Sequence, residues 1–343
     1  MKKLHKLAQL IYDDVSDVVD AIDFSELHKR TVLITGATGL IGTYLVASLK
    51  KLSDKGKIKP FVIAVVHTAP DSYFKDLLPK NAKIIKGDLS ETRFLEKLPN
   101  ADYIIHAAGY GQPGRFLDNP IKTLKLNTFA TFALLEKLKP KGKFFFISTS
   151  EVYSGSTKVP YTEDTIGSTN TTHKRGCYIE GKRSGEAISM AYKMKGLDVK
   201  TARASLIYGP GTKKDDQRVL NSFIAKALGG KIDMLDAGTA KRTYCYITDA
   251  IEIFWKILFS GKEFVYNVGG ESKITIADLG KKIGDYVKIP VKIPKVYHGL
   301  RDAPDDVWLD LTKIKKEFGK TIFVNLDTGL KKTIEWQKAL YLK

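Results

Sequence analysis

The chain has 343 residues and 43% hydrophobic content, enough to bury a sizeable core in one large α/β domain or two unequal lobes. Lys+Arg total 56 against 38 Asp+Glu, a formal net charge of +18, but the basic residues are scattered instead of gathered with aromatics in one patch, so no nucleic-acid partner is expected. No apolar run approaches the ~18 residues of a membrane span and no signal-peptide pattern opens the chain, so a cytoplasmic protein without a membrane partner is expected; Cys177 and Cys245 offer no zinc spacing, and no metal site is expected.

Within residues 1–29, Leu4, Leu7, Ile11, Val15, Val18 and Ile22 recur at intervals of three or four, which predicts one amphipathic helix over 3–22 ahead of the first strand. It must pack on something, a neighbouring domain face or an oligomer contact, and carries no evident chemistry. From Thr31 the chain reads TVLITGATGLIGTYLVASL. Val32, Leu33 and Ile34 form a short β-rich run that stops at Gly36, and Leu40, Ile41, Leu45, Val46 and Leu49 then follow helical spacing. Strand, glycine turn and helix in that order make a dinucleotide-binding unit. Gly36 permits the tight turn, Gly39 lets backbone approach a pyrophosphate, and Gly42 lets helix and strand pack closely, with the phosphates at the helix start near Thr38, Leu40 and Ile41.

Phe61–Val66 is a second, wholly apolar strand, as a parallel sheet covered on both faces requires. NAD-binding units usually carry Asp or Glu at its end, for the ribose 2′-hydroxyl, and NADP-binding ones a nearby Arg. Here His67-Thr68-Ala69 follows, with Asp71 four residues past His67, so the reading leans to NAD without excluding NADP. Lys83–Lys86 is a third strand ending in Gly87-Asp88-Leu89, and Tyr103–His106 a fourth ending in the small residues Ala107-Ala108-Gly109. Lys122–Lys137 reads as a helix containing Asn127, and Lys143–Ile147 as the fifth strand, running into Ser148-Thr149-Ser150-Glu151. Strands alternating with helices predict a doubly wound parallel sheet with ligands beyond the strand C-termini. Val199–Ile207 is a further strand leading to Tyr208-Gly209-Pro210, and 313–318 and 330–340 are closing helices.

The candidate catalytic stretch is Tyr178-Ile179-Glu180-Gly181-Lys182. Positions four apart on a helix face the same way, so phenol and ammonium come together. A phenol of pKa ~10 that works near neutrality needs about 4 kcal/mol of preference for phenolate, which Lys182 and a cationic nicotinamide could supply.

Together Gly36/Gly39/Gly42, Asp88, Ala107-Ala108-Gly109, Asn127, Ser148-Thr149-Ser150-Glu151-Val152-Tyr153 and Tyr178/Lys182 resemble the extended short-chain dehydrogenase/reductase family, in its nucleotide-sugar epimerase, dehydratase and decarboxylase branch. The resemblance runs from about residue 30 to 335. Asn119–Lys125, Thr149–Tyr153 and Cys177–Arg183 are most similar to UDP-glucuronate decarboxylases. It implies an α/β protein with a Rossmann-type NAD-binding domain over 30–198 and a smaller, mainly substrate-binding α/β lobe over 199–343, with strands returning to the main sheet. It implies that His67, Asp88, Leu89, Ala107, Ala108, Gly109 and Asn127 join the glycine turn around NAD. It further implies that Thr149 bonds the reacting sugar hydroxyl, Tyr178 takes its proton, Lys182 holds the ribose and lowers the tyrosine pKa, and C4 of an NDP-sugar is oxidised.

The fate of the C4 ketone depends on the neighbouring side chains. Family dehydratases resemble Thr-Asp-Glu where this chain has Thr149-Ser150-Glu151, and four-epimerases generally lack the glutamate, so Ser150 beside Glu151 resembles the decarboxylase pair. A 4-dehydrogenase, 4-epimerase or 4,6-dehydratase uses the same machinery and stays open, as does a catalytically silent NAD(P) sensor, against which the intact Thr149/Tyr178/Lys182 set argues. Arg115, Arg218, Arg242 and Arg301 are the expected substrate arginines, with Arg242 and Arg301 resembling the branch's diphosphate pair. Leu206 stands where family members carry a polar residue, and Tyr153-Ser154-Gly155 has one residue more than the usual Tyr-Gly. A homodimer or homotetramer through helices 122–137 and 178–195 is implied by the resemblance alone.

Overall fold

The computed structural model describes residues 5–56, 58–295 and 306–341. Seven parallel strands form the main sheet: β1 (Thr31–Thr35), β2 (Phe61–Val66), β3 (Lys83–Lys86), β4 (Ala101–His106), β5 (Leu138–Thr149), β6 (Asp198–Ala204) and Val265–Val268. Their order across the sheet is β3-β2-β1-β4-β5-β6 and then Val265–Val268, with every neighbour parallel. The order reverses between β1 and β4, which opens a crevice at the carboxyl ends of those two strands.

Helices cover both faces, and alternate side chains explain the continuous apolar runs. Val32, Ile34, Ile105 and Phe145 join one buried cluster, while Leu33, Ile104, Phe144 and Phe146 join the other. The glycine-turn helix, Leu40–Asp54, buries Gly42 to Leu49 without interruption. Its outer side is covered by the N-terminal extension. The single helix expected over 3–22 is two helices, Lys6–Asp14 and Ser16–Asp20, broken at Val15. Asp14 at the break is the reason the extension docks: its carboxylate accepts from Tyr44 Oη at 2.8 Å, Tyr246 Oη at 2.7 Å and Lys332 Nζ at 2.5 Å, tying four segments together.

The helix expected over 122–137 is likewise two, Pro120–Asn127 and Phe129–Leu135, separated by Thr128. The strand predicted over 199–207 ends at Ala204. Leu206 takes a left-handed backbone (φ 47°), and Ile207–Tyr208 then pairs with Lys241–Tyr246 in a second sheet that also holds Ser272–Thr275 and Asp306–Val307. That reversal carries the chain from the main sheet into the smaller lobe, while Val265–Val268 returns to the main sheet beside β6.

Candidate active site

The glycine turn is shaped by close approach. Gly36 has φ +64°, and a Cβ there would lie 2.7 Å from Ala108 Cα; at Gly42 it would lie 2.3 Å from the Gly36 carbonyl oxygen. Gly39 caps the helix that begins at Leu40 and Ile41. The backbone therefore presents a bare, concave turn before a helix N-terminus, the arrangement a pyrophosphate requires. Two polar features continue it: Asn127 is fully buried with Oδ1 unpartnered, and Gly109 leaves open the space in front of Asn127 Oδ1 and Lys182 Nζ, which would lie 3.9 and 3.7 Å from a Cβ placed there. These residues fit a dinucleotide whose nicotinamide half reaches Lys182.

At the other end, β2 runs into His67, which is exposed, while Thr38 and Asp71 both line a second cavity of about 400 Å³. Asp71 thus shares a cavity with Thr38 of the glycine turn. Asp88 accepts from Ser90 and Lys122, which hold its carboxyl near 2 against the opposing effect of burial. Its oxygens are engaged in a turn and an ion pair, and Leu89 behind it is buried.

The helix that carries Tyr178 and Lys182 is Gly176–Met194. Gly185 lets it lie against the strand layer, since a Cβ there would be 2.4 Å from the Phe146 ring. Tyr178, Lys182, Thr149, Ser150 and Glu151 all line one cavity of about 580 Å³, together with Ile41, Ala107, Gly109, Phe116, Leu206, Tyr208 and Arg218. Phe116 stacks on Tyr178, with centroids 4.7 Å apart and planes within 4°. Burial raises the Tyr178 phenol to about 12; the Thr149 hydrogen bond and the Arg175 and Arg218 charges pull the other way, and Glu151 adds to the rise. Lys182 donates to the Ile147 carbonyl at 2.7 Å, and burial lowers it to about 7. The expected depression of the tyrosine by Lys182 is therefore weak in this state, because the lysine is bonded to the strand and only partly charged at neutral pH.

Glu151 pairs with Arg175 at 2.5 Å, and Arg175 Nε is a buried donor with no protein partner. Arg175, three residues before Tyr178, was missed in the sequence; its i,i+3 spacing from the phenol was the available signal. Arg218 lines the cavity at the start of helix Val219–Leu228, its guanidinium making three hydrogen bonds to Asp216 and its backbone N–H a fourth. Arg115 and Arg242 are not among the cavity-lining residues: Arg115 pairs with Asp215 at the surface, and Arg242, on Lys241–Tyr246, donates to the Lys241 carbonyl. Arg301 lies outside the described residues. Among the described residues no cluster of His, Cys, Asp and Glu could hold a metal, and no helix is long and apolar enough to cross a membrane.

A dinucleotide cradle leading to a tyrosine, lysine and threonine in one cavity defines an extended short-chain dehydrogenase/reductase, a class of NAD-dependent enzymes. The chain belongs to the NAD dependent epimerase/dehydratase family, whose model matches residues 32–269. UDP-glucuronic acid decarboxylase 6 of Arabidopsis thaliana is 32% identical over 310 residues, covering 87% of this chain and 86% of the relative. UDP-glucuronic acid decarboxylase 1 of Danio rerio is 30% identical over 323 residues, covering 91% and 73%. Among solved structures, the UDP-glucose 4-epimerase of Thermotoga maritima, with UDP-glucose, superposes with TM-score 0.76 at 25% identity over 91% of this chain and 100% of the other. MoeE5 in complex with UDP-glucuronic acid and NAD has the same fold, with TM-score 0.73 at 22% identity over 90% and 99%.

Proposed function

We propose that the protein oxidises C4 of a nucleotide-diphosphate sugar and that its substrate is a UDP-hexuronate, which it decarboxylates. The observation that carries this reading is the convergence of Thr149, Tyr178 and Lys182 with the Glu151–Arg175 pair in one cavity. Bound NAD supplies the hydride acceptor. Thr149 orients the C4 hydroxyl by hydrogen bonding, and Tyr178, once ionised, takes its proton. Lys182 holds the nicotinamide ribose and adds positive charge next to the phenol. The C4 ketone so formed withdraws electrons from C5, so a carboxyl group there can leave as CO2. Ser150 is a poor acid for expelling a C6 hydroxyl, whereas Glu151 can hold or return the proton that C5 needs after CO2 departs; return of the hydride to C4 then reduces the ketone to the hydroxyl, so the overall change is loss of CO2 with no net oxidation. Arg175 has donors beyond those that bind Glu151, and an arginine fork can bridge two carboxylates, so it is the group suited to the hexuronate carboxylate. The two curated relatives at about 30% identity carry this activity in their names.

The direct test is mass spectrometry of products from UDP-glucuronate, UDP-glucose and the corresponding GDP- and dTDP-sugars. Loss of CO2 from the hexuronate alone is the expected result; loss of water, net oxidation, or unchanged mass with inverted C4 would replace decarboxylation by dehydration, dehydrogenation or epimerisation.

We further propose a homodimer built on the helices flanking the site. Ile121, Phe132 and Met194 are 71%, 47% and 76% exposed on helices Pro120–Asn127, Phe129–Leu135 and Gly176–Met194, apolar side chains spread along those helices that a second copy would cover.

A further inference from the structure

Tyr178 and Lys182 are two of three residues in one row on the catalytic helix; the third, four residues on, is Glu186. Three consecutive residues at the end of β5 hold them. Thr149 bonds the Tyr178 hydroxyl, the Ile147 carbonyl accepts from Lys182 Nζ at 2.7 Å, and Ser148 Oγ donates to Glu186 Oε1 at 2.5 Å. The proposed decarboxylation uses the first two rungs and leaves the third unexplained.

We propose that Glu186 is a positioning residue, whose buried carboxylate favours the charged form of the neighbouring Lys182 side chain and holds the catalytic helix in register with the end of β5. Glu186 is 8% exposed. Arg203 on β6 donates through Nε to both carboxylate oxygens at 3.1 Å and through Nη2 to Oε2 at 2.7 Å. Arg203 is fixed in turn by the Tyr153 hydroxyl at 3.0 Å and the Glu163 carbonyl at 2.7 Å, and Tyr153 donates to Asn267 Oδ1 at 2.6 Å. The network thus joins β5, β6, the catalytic helix and the returning strand Val265–Val268.

Lys182 needs such support. It is 5% exposed and faces the Phe146 ring at 4.8 Å. His106, the buried imidazole whose charged form Lys182 would repel, is held neutral by burial, near 3, and so adds no competing positive charge. Burial favours the neutral form of the lysine, and the Glu186 carboxylate is the charge that opposes this. A lysine that lost its proton at neutral pH would no longer help stabilise the tyrosinate.

The inference rests on the Tyr178/Lys182 site being catalytic, and its test separates the two. In protein labelled with 13C at lysine Cε, the Lys182 signal is assigned by its absence in Lys182→Arg and titrated in wild type and in Glu186→Gln. The expected result is at least a tenfold fall (~1 pH unit) in the ratio of protonated to neutral Lys182 near neutral pH in the variant. In turnover of UDP-glucuronate the high-pH limb of kcat should move to lower pH, with KM for the sugar nucleotide little changed. Because Glu186→Gln could loosen Arg203, a second variant, Glu186→Leu with Arg203→Met, removes the pair as a whole with apolar replacements. It should fold and show the same displaced titration. An unmoved Lys182 titration in Glu186→Gln, a loss of kcat equal at every pH, or a normal titration in the double variant would each overturn the proposal. Failure of Lys182→Arg to impair turnover would instead remove the catalytic reading on which it rests.

Discussion

Replacing Tyr178 by phenylalanine and, separately, following the titration of its phenol tests the centre of the chemistry. The side chain is 7% exposed, stacked on Phe116 and bonded to Thr149, and its pKa is pushed up to about 12. Ionising it at neutral pH from that value requires about 7 kcal/mol. The resting site does not supply this: Arg175 is already committed to Glu151, Arg218 to Asp216, and Lys182 is itself lowered to about 7. The missing stabilisation must come from the cationic nicotinamide together with a fully charged Lys182. In protein labelled with 13C at tyrosine Cζ, with Tyr178→Phe identifying the signal, the phenol should stay protonated past ~pH 10 without cofactor. Its titration should move toward neutrality with NAD+ and less with NADH, which lacks the ring charge. Tyr178→Phe should bind NAD+ and lose turnover. A phenolate present at neutral pH without cofactor, or a titration that NAD+ leaves in place in an active enzyme, would refute the reasoning.

Other outcomes turn on single contacts. Gly42→Ala puts a methyl 2.3 Å from the Gly36 carbonyl oxygen, so denaturant unfolding should show a loss of about 1–3 kcal/mol and calorimetry a weakened NAD+ complex. Asp14→Ala leaves the buried hydroxyls of Tyr44 and Tyr246 without their acceptor and should cost about 2–4 kcal/mol, with early proteolysis of the N-terminal extension. Arg175→Gln should lower affinity for UDP-glucuronate by about tenfold to a hundredfold while sparing UDP-glucose; an equal loss for both would mean that the arginine does not read the carboxylate. Ile121→Glu should convert a dimer to monomer in light scattering, and an unchanged mass would place any assembly elsewhere.

Much of this molecule was legible from local pattern. Apolar runs such as Val32-Leu33-Ile34 and Phe61–Val66 can be satisfied only by strands covered on both faces, and the glycine spacing after Thr35 fits few backbone turns, so sheet, cradle and the Tyr178/Lys182 row could be read without coordinates. Local pattern misjudged continuity, because helical spacing passes through Val15 and Thr128 unchanged while the docking of Asp14 and the separation of the two short helices are tertiary matters. The partners of charged groups lay further out of reach. Arg218 and Asp216 are neighbours in sequence, but Glu151 meets Arg175 across 24 residues, Arg115 is drawn to Asp215 across 100, and Glu186 reaches Ser148 across 38. Sequence by itself determined which residues could do chemistry, since that is a property of side chains and short-range spacing. Tertiary structure alone decided which of them are buried, which charges face one another and hence which protons are held, because burial and Coulomb energy depend on distances that only the packed chain defines.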